Sequence, residues 1–218
     1  GGDEVMILYG GKLSPFVMRP LLVSRAKGAE VTLASFEGGI KSPEYLALCP
    51  TGKMPLLVDG DLALPESQVI ADYLDLALPG PKLVPEDAVG AAKVRLLVRL
   101  ADTYMVPQLG GLFRGRENPA GVPDALKGMG EALGYIEHYR KAGDEYAFGS
   151  SFTQADAALI PLFFFLDALD GPMPTKALVA AKPGLAAWWA RAKASPLGAQ
   201  AVAEQAEGLK QMMAARAG

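Results

Sequence analysis

Cysteine and histidine are almost absent from this chain of 218 residues, which contains one of each, Cys49 and His138. A single cysteine cannot form a disulfide within the chain, and it cannot build a zinc site that depends on several thiolates. With one histidine, a serine–histidine triad would need His138, but the polar, helix-forming residues around it favour a position on the surface. We therefore expect no metal, and we take a cytoplasmic location as the default.

Basic tracts and long apolar runs are also missing. The 21 basic and 24 acidic residues give a formal net charge of −3 without any stripe of lysine and arginine, so we expect no nucleic-acid partner. The longest apolar run, residues 157–166, lies between Asp156 and Asp167 and is too short to cross a bilayer. It predicts a buried helix. We expect neither membrane association nor a signal segment, because the chain enters a strand pattern almost at once.

The first 34 residues predict a strand, a helix and a second strand. Residues 5–9 form an apolar run that ends at glycine and favours a buried strand. Ser14 and Pro15 are the residue types preferred at the cap and the first position of a helix, and Gly28 is a typical helix stop. Residues 30–34 then alternate polar and apolar. This order predicts a right-handed unit with two parallel strands.

The next segment predicts a hairpin and a helix. Residues 54–58 and 62–64 favour strands, and the Asp59-Gly60 pair between them is a strong turn signal. An amphipathic pattern over residues 69–74 predicts a helix. Together these elements predict one mixed, four-stranded α/β sheet, ordered βαβ and then ββα, within a domain of residues 1–79.

Helices alone are predicted after a linker at residues 80–87, which is rich in proline and glycine. Strand signals disappear over residues 88–218, so we predict an all-helical second domain. Its helices are expected at residues 92–105, 124–141, 153–169, 184–193 and 197–214.

Three motifs resemble those of the cytosolic glutathione S-transferases. Residues 53–60 and 64–74, which include Met54-Pro55 and Pro65-Glu66-Ser67, resemble the glutathione-binding half of that family. Ser14-Pro15-Phe16 with Arg19 resembles the first helix of its serine-type classes, especially the tau-like and related bacterial members. Residues 153–156 resemble the capping motif of its central helix.

This resemblance implies a thioredoxin-like N-terminal domain and an enzyme that uses glutathione as co-substrate against an apolar electrophile. It also implies a role in detoxification and a homodimer that pairs the first domain of one subunit with the helical domain of the other. Two alternatives stay open. One is another glutathione-dependent enzyme (a peroxidase, lyase, isomerase or reductase) on the same scaffold, and the second is a non-catalytic binding module.

The resemblance implies a set of glutathione ligands in the first domain. A cis peptide bond before Pro55 would turn the Met54 backbone outward to pair with the cysteinyl unit of glutathione. Without the resemblance, the sequence would favour a trans bond at this position. Ser67, through its hydroxyl and N–H, would receive the γ-glutamyl carboxylate at a helix start, and Glu66 would receive the neighbouring ammonium. Both could instead only cap their helix. The remaining implied ligands are Phe16, Lys41 and Lys53, of which the two lysines could equally be solvated surface residues.

Ser14 is the residue expected to activate the thiol. A free cysteine thiol has a pKa near 8.5, so only a few per cent is thiolate at neutral pH. A hydroxyl donor at a helix N-terminus favours the thiolate, and Ser14 could supply both effects. Tyr9 is the competing candidate, but it ends its strand five residues before Ser14-Pro15, so we expect it to be packed or peripheral. Cys49 does not occupy the position of Ser14, which argues against a cysteine-dependent reductase.

The electrophile site is the least readable part of the sequence. Five residues around the point where the pattern of the first helix of the second domain breaks are candidates for an apolar wall: Tyr104, Pro107, Leu112, Phe113 and Arg114. The aromatic runs at residues 163–165 and 188–189 are expected mostly in the core. Thr153 and Asp156 predict a capping box at the start of the most apolar helix.

Overall fold

A mixed four-stranded sheet forms the centre of the first part of the chain. The structure is a computed structural model and describes residues 5–218. The strand order is β2-β1-β3-β4, with β1 parallel to β2 and antiparallel to β3, and with β3 antiparallel to β4. The predicted βαβ–ββα order is confirmed. The strands are β1 (Ile7–Tyr9), β2 (Thr32–Ala34), β3 (Leu56–Asp59) and β4 (Leu62–Pro65).

Three helices, α1 (Pro15–Ala26), α2 (Pro43–Leu48) and α3 (Ser67–Ala77), accompany this sheet. Side chains alternate between the two faces of a strand, so the register decides which helix each residue meets. Tyr9 is opposite Leu56, and both pack with Tyr45 of α2. Leu8 is opposite Leu57, and both point to the other face, where α1 and α3 pack together.

Only helical elements, apart from one isolated bridge between Asp170 and Met173, are seen from residue 88 to the end of the described chain. The first predicted helix is longer than expected, because a π-helical segment (Ala101–Met105) joins α4 to α5 instead of ending the helix. The sequence did not predict α5 or the short α8. The helices are α4 (Ala88–Leu100), α5 (Val106–Phe113), α6 (Val122–Tyr139), α7 (Gln154–Ala168), α8 (Thr175–Ala180), α9 (Pro183–Ala194) and α10 (Pro196–Ala217).

The capping box predicted at the start of α7 is present. The Thr153 side chain accepts from the backbone of α7, and the Asp156 carboxylate accepts from the Thr153 N–H at 3.0 Å. Asp156 also accepts from the indole N–H of Trp188 and from the Ala147 N–H, each at 2.9 Å. The residues of α7 from Gln154 to Leu166 are buried, as are both tryptophans, which confirms their expected place in the core.

The chain divides into two compact units. Of the described residues, 5–83 form the first together with residues 200–218, and Val84–Ala199 form the second. This differs from the predicted division, which assigned all of residues 88–218 to the helical domain. The sequence of α10 specifies a helix but not its packing partner, and Glu204 of α10 is paired with Arg25 of α1.

The start of the predicted linker is tied to the first unit by a buried ion pair. Lys27 Nζ lies 3.0 Å from Asp75 Oδ1 and donates to the Pro81 carbonyl at 2.8 Å. Asp75 in turn accepts the Leu83 N–H with both carboxylate oxygens. Breaking such a buried pair on one side typically costs about 3–5 kcal/mol. Residues 81–83 are therefore anchored to the first unit and do not act as a loose connection.

Candidate active site

Ser14 lies at the N-terminus of α1, directly after a tight turn. The Ser14 N–H donates to the Gly11 carbonyl at 3.2 Å, which closes the turn. Gly10 precedes it with a φ of +151°, and a Cβ there would lie 2.4 Å from Val17 Cγ2. Glycine at residue 10 thus lets the chain pass close to α1 and brings Ser14 to the helix start.

The Ser14 hydroxyl caps α1 as an acceptor. Its Oγ accepts the Phe16 N–H at 3.3 Å, which confirms the predicted N-cap. This bond uses an oxygen lone pair and leaves the hydroxyl proton available, because a serine hydroxyl has one donor and two acceptor positions. Ser14 is half-buried. It can therefore cap the helix and donate to a ligand atom at the same time.

The backbone of Phe16 connects the two serines of the predicted site. Its N–H is bound by Ser14, and its carbonyl accepts from Ser67 Oγ at 2.6 Å. Ser67 is 7% exposed and is the first residue of α3. Sequence reasoning expected the Ser67 hydroxyl and N–H both to face glutathione. In the structure the hydroxyl proton is donated to α1, so the donors directed outward are the N–H groups in the first turn of α3.

Glu66 adopts an unusual backbone conformation. Among the described residues it is the one non-glycine position with a positive φ, at +74°. A left-handed conformation costs a residue with a Cβ about 1–2 kcal/mol. The Glu66 side chain is exposed and makes no capping bond to α3. Strain of this kind is concentrated at functional sites, so an exposed, strained carboxylate at a helix start is consistent with a ligand role.

Arg19 and Gln68 lie behind the two helix starts. The Arg19 guanidinium is 2% exposed and donates through Nη1 to Gln68 Oε1 at 3.3 Å. Arg19 thus pairs with a residue of the first unit. The sequence did not predict this pair, because the two residues are 49 positions apart and neither belongs to a pattern that indicates its partner.

The predicted cations lie beside the loop that leads to Pro55. Lys41 is exposed and precedes Ser42, the cap of α2, and its Nζ donates to the Gly52 carbonyl at 3.0 Å. Lys53 is exposed, and its carbonyl accepts from the Tyr45 hydroxyl. The Met54–Pro55 bond is cis, as the resemblance implied.

Cys49 and Tyr45 support this loop from the core. Cys49 is 1% exposed and its Sγ lies 3.3 Å from Thr51 Oγ1. Burial raises the pKa of Tyr45 to about 12, with a further contribution from Cys49. Tyr45 therefore stays protonated at neutral pH and can donate to the Lys53 carbonyl. The structure thus gives Cys49 a packing role.

Tyr9, the competing candidate for thiol activation, belongs to an aromatic cluster. Its ring packs edge to face against the ring of Phe36, with 5.0 Å between the ring centroids. The rings of Phe36 and Tyr45 pack in the same way, with 5.1 Å between their centroids. Offset and edge-to-face pairs of this kind are typical of packed aromatic residues. The expectation that Tyr9 is packed is confirmed.

The five candidates for the electrophile wall lie on the π-helical segment, on α5 and at its end. Tyr104 is 45% exposed, and its ring centroid lies 5.1 Å from that of Tyr135. Phe113 is 49% exposed, and its ring centroid lies 5.0 Å from that of Phe165. Pro107 and Arg114 are also exposed, whereas Leu112 is buried. A π-helical turn inside an α-helix is frequent at functional sites.

The comparisons with known proteins agree with this geometry. Residues 8–82 match the family model for the glutathione S-transferase N-terminal domain, and residues 119–191 match the model for the C-terminal domain. Glutathione S-transferase 3 of Zea mays is 35% identical over 205 residues, which cover 87% of this chain and 89% of that protein. The chain belongs to the glutathione S-transferase family.

Solved structures show the same fold across both units. Glutathione S-transferase III in its apo form is 31% identical, with a TM-score of 0.76 over 91% of this chain and 96% of that one. Glutathione S-transferase I bound with lactoylglutathione is 25% identical, with a TM-score of 0.77 over 92% and 99% of the two chains. The predicted thioredoxin-like and helical architecture is confirmed, and so is the predicted class of enzyme, a glutathione transferase.

The described residues include neither a metal-binding group nor a membrane-spanning helix. Within residues 5–218, no group of three or more histidine, cysteine, aspartate and glutamate side chains could hold a metal ion. In the same part of the chain, no helix has both the length and the apolar character needed to cross a membrane.

Proposed function

We propose that Ser14 is the catalytic residue of this glutathione transferase and that it donates its hydroxyl proton to the sulfur of bound glutathione. The observation that carries the proposal is the hydrogen-bond arrangement at the start of α1. Ser14 Oγ accepts from Phe16, so its proton remains for the sulfur. The positive end of the α1 dipole acts in the same direction, because it favours an anion.

The ligands of glutathione in this proposal come from four segments of the first unit. The N–H groups at the start of α3, beginning with Ser67, receive the γ-glutamyl carboxylate, and Glu66 receives the ammonium beside it. The backbone of Met54, before Pro55, pairs with the cysteinyl unit. Lys41 and Lys53 bind the glycyl carboxylate, and Phe16 completes the set between the two serines.

The chemistry that glutathione supplies is nucleophilic attack by its thiolate. The thiol loses its proton to solvent, and the sulfur forms a bond to an electrophilic carbon, either by addition or with displacement of a leaving group. The protein contributes thiolate stabilisation and proximity. We assign an apolar electrophile to the helical domain, along a wall of Tyr104, Pro107, Leu112, Phe113 and Arg114. Leu112 would support the wall from within, since it is buried.

The biological setting is part of the same proposal. A transferase with this site would conjugate reactive apolar compounds, which is a detoxification role, and would act as a homodimer in the cytoplasm. Cell fractionation tests the location. Activity profiling over aryl halides, epoxides, enones, peroxides and disulfides tests the substrate class.

The test of the mechanism is Ser14→Ala. A hydrogen bond to a charged group contributes about 1.5–3 kcal/mol, and one pKa unit corresponds to about 1.4 kcal/mol, so the pKa of the bound thiol should rise by roughly one to two units. Rates measured at a pH below the wild-type thiol pKa should fall by about one to two orders of magnitude, and they should recover in part at alkaline pH. Ultraviolet titration of the thiolate in the complex measures the shift directly. Binding should weaken little, because its contacts lie elsewhere.

Two controls separate this effect from its alternatives. Ser42→Ala removes the same residue type from the same Ser-Pro cap, at the start of α2, and should leave the thiol pKa unchanged. Tyr9→Phe should also leave it unchanged. The assignment of Ser14 is wrong if Tyr9→Phe abolishes the thiolate signal while Ser14→Ala keeps it.

A further inference from the structure

The turn that carries Ser14 is held from outside by the last helix of the chain. Lys12 and Leu13 are the central residues of this turn. Lys12 Nζ forms an ion pair with Glu204 of α10. The Leu13 carbonyl accepts from Gln205 Nε2 at 3.5 Å. Two consecutive residues of α10 therefore contact both central residues of the turn.

A glycine brings the helix backbone against the same turn. Gly208 lies one helical turn after Glu204, on the same face of α10. A Cβ on Gly208 would lie 3.0 Å from Leu13 Cβ and 3.4 Å from the Leu13 nitrogen. The distance to Leu13 Cβ is shorter than an ordinary packing contact, so a side chain at residue 208 would require Leu13 or the helix to shift.

Glu204 also holds the opposite end of α1. Arg25, in the last turn of α1, donates to both Glu204 oxygens, at 2.5 and 2.9 Å. The Arg25 side chain is 5% exposed and that of Glu204 is 15% exposed, so solvent screens this pair only partly. Because Lys12 precedes α1 and Arg25 is in its last turn, the single carboxylate of Glu204 connects the two ends of the helix that Ser14 caps.

Arg25 and Lys12 stabilise the ionised form of Glu204. Burial by itself would raise the pKa of Glu204, but the hydrogen bonds from Arg25 and Lys12 outweigh it, and the pKa lies below its usual value. The stabilisation from a lowered carboxylate pKa is present above the unfolded-state value and is lost as the pH falls through the folded-state value. Glu204 is therefore ionised throughout the neutral range in which transferase activity is measured.

We propose that residues 204–208 of α10 are a positioning element for Ser14, holding the turn before it so that its hydroxyl stays directed at the glutathione sulfur. The inference rests on the proposed function of Ser14. Ser14 follows Leu13 directly, so a displacement of the turn displaces the hydroxyl. Misplacement by about 1 Å can cost about a hundredfold in rate. Glu204 does not touch the substrate and acts through Ser14.

The first test compares Glu204→Gln with Glu207→Gln. The glutamine at residue 204 keeps the shape of the side chain and loses the charge that binds Lys12 and Arg25. The pKa of the bound thiol should rise by about one unit, which lowers the thiolate fraction and kcat about tenfold at a pH below the wild-type thiol pKa. The KM for glutathione should change little. Glu207 is exposed and accepts from Gln211 within α10, so Glu207→Gln removes the same charge from the same helix and should change neither value.

A double-variant cycle with Ser14→Ala distinguishes the two proposals. If Glu204 acts through Ser14, Ser14→Ala combined with Glu204→Gln has the same thiol pKa as Ser14→Ala alone. Shifts that add would overturn the inference and leave the role of Ser14 standing, and so would a Glu204→Gln variant with the wild-type pKa. A Ser14→Ala variant with the wild-type pKa overturns both.

Gly208→Ala tests the positioning without touching a charge, and it serves if Glu204→Gln does not fold. Alanine favours a helix over glycine, which offsets at least part of the cost of the contact between the added methyl group and Leu13. The methyl group presses on Leu13, so the thiol pKa should rise in the folded protein. A Gly208→Ala variant with unchanged thiol pKa and kcat would contradict the proposal.

Discussion

At the scale of single residues, Glu66 is the position where stability and ligand binding are expected to oppose each other. Its φ of +74° is one that glycine adopts without cost and glutamate does not. The carboxylate is exposed and makes no bond to the helix that it precedes. A residue kept in a strained conformation without a local structural benefit is best explained by what its side chain binds.

The prediction compares Glu66→Gly with Glu66→Ala. Both remove the carboxylate, so glutathione should bind about tenfold more weakly, which corresponds to about 1.4 kcal/mol. Glycine also relieves the left-handed strain, so Glu66→Gly should be more stable than Glu66→Ala by roughly 1 kcal/mol. Calorimetric titration measures the affinity of each variant for glutathione. Thermal unfolding measures the stability of each variant. Wild-type affinity in both variants would remove Glu66 from the site, and equal stabilities would mean that the backbone is unstrained there.

At the scale of secondary-structure elements, the start of α7 concentrates several interactions on one carboxylate. Asp156 is 1% exposed and accepts from the N–H groups of Thr153, Ala147 and Trp188. Burial raises the pKa of Asp156, and these hydrogen bonds counteract the rise only in part. The capping box is thus also the point where α9 and the loop before α7 are attached to α7.

Asp156→Ala should lower the free energy of unfolding by at least about 2 kcal/mol, because a cap is lost and buried donors are left unsatisfied. Glutathione affinity and thiol pKa in the folded fraction should stay as in the wild type, since Asp156 belongs to the second unit. Asp124→Ala is the matched control: an exposed aspartate in the first turn of α6, expected to change stability by no more than about 0.5 kcal/mol. An unchanged denaturation midpoint for Asp156→Ala would refute the structural role given to this cap.

At the scale of the whole molecule, the first unit exposes an apolar stripe that bears on assembly. Val69 and Leu76 of α3 are 49% and 77% exposed and lie seven residues apart, on one face of the helix. Leu62 of β4, the edge strand of the sheet, is 38% exposed. Exposed apolar residues along one helix face, like Val69 and Leu76, are typical of surfaces that contact another protein.

We therefore predict that the proposed homodimer depends on this stripe. Light scattering at micromolar concentration should give about twice the 22.9 kDa of one chain. Leu76→Glu should shift the mass towards the monomer, because it places a charge in the apolar contact. Met213→Glu changes a residue of α10 that is 60% exposed and should leave the dimer intact. A wild-type mass of one chain would exclude the dimer, and a dimeric Leu76→Glu variant would place its interface elsewhere.

Local sequence signals determined most of the elements of this protein. Apolar runs, alternation and the Asp59-Gly60 turn predicted the four strands, and helical spacing predicted most of the helices. Such signals act over a few residues, so they can be recognised in the sequence. The helix caps Ser14 and Thr153 were also predicted from the sequence. The π-helical segment, α5 and α8 were not predicted, since a π-helical turn continues a helix through a region where the pattern indicates a break.

The candidate site also has features that the sequence determined and features that only the tertiary structure determined. The residue types at helix starts determine that Ser14 and Ser67 are capping positions with exposed N–H groups, so the sequence by itself indicated where an anion or thiolate could bind. Only the tertiary structure decided that the Ser67 hydroxyl is donated to Phe16 and that Glu204 of α10 pairs with Lys12. Partners so distant along the chain meet only when packing brings their helices together, and no local pattern records which helix face will meet which turn.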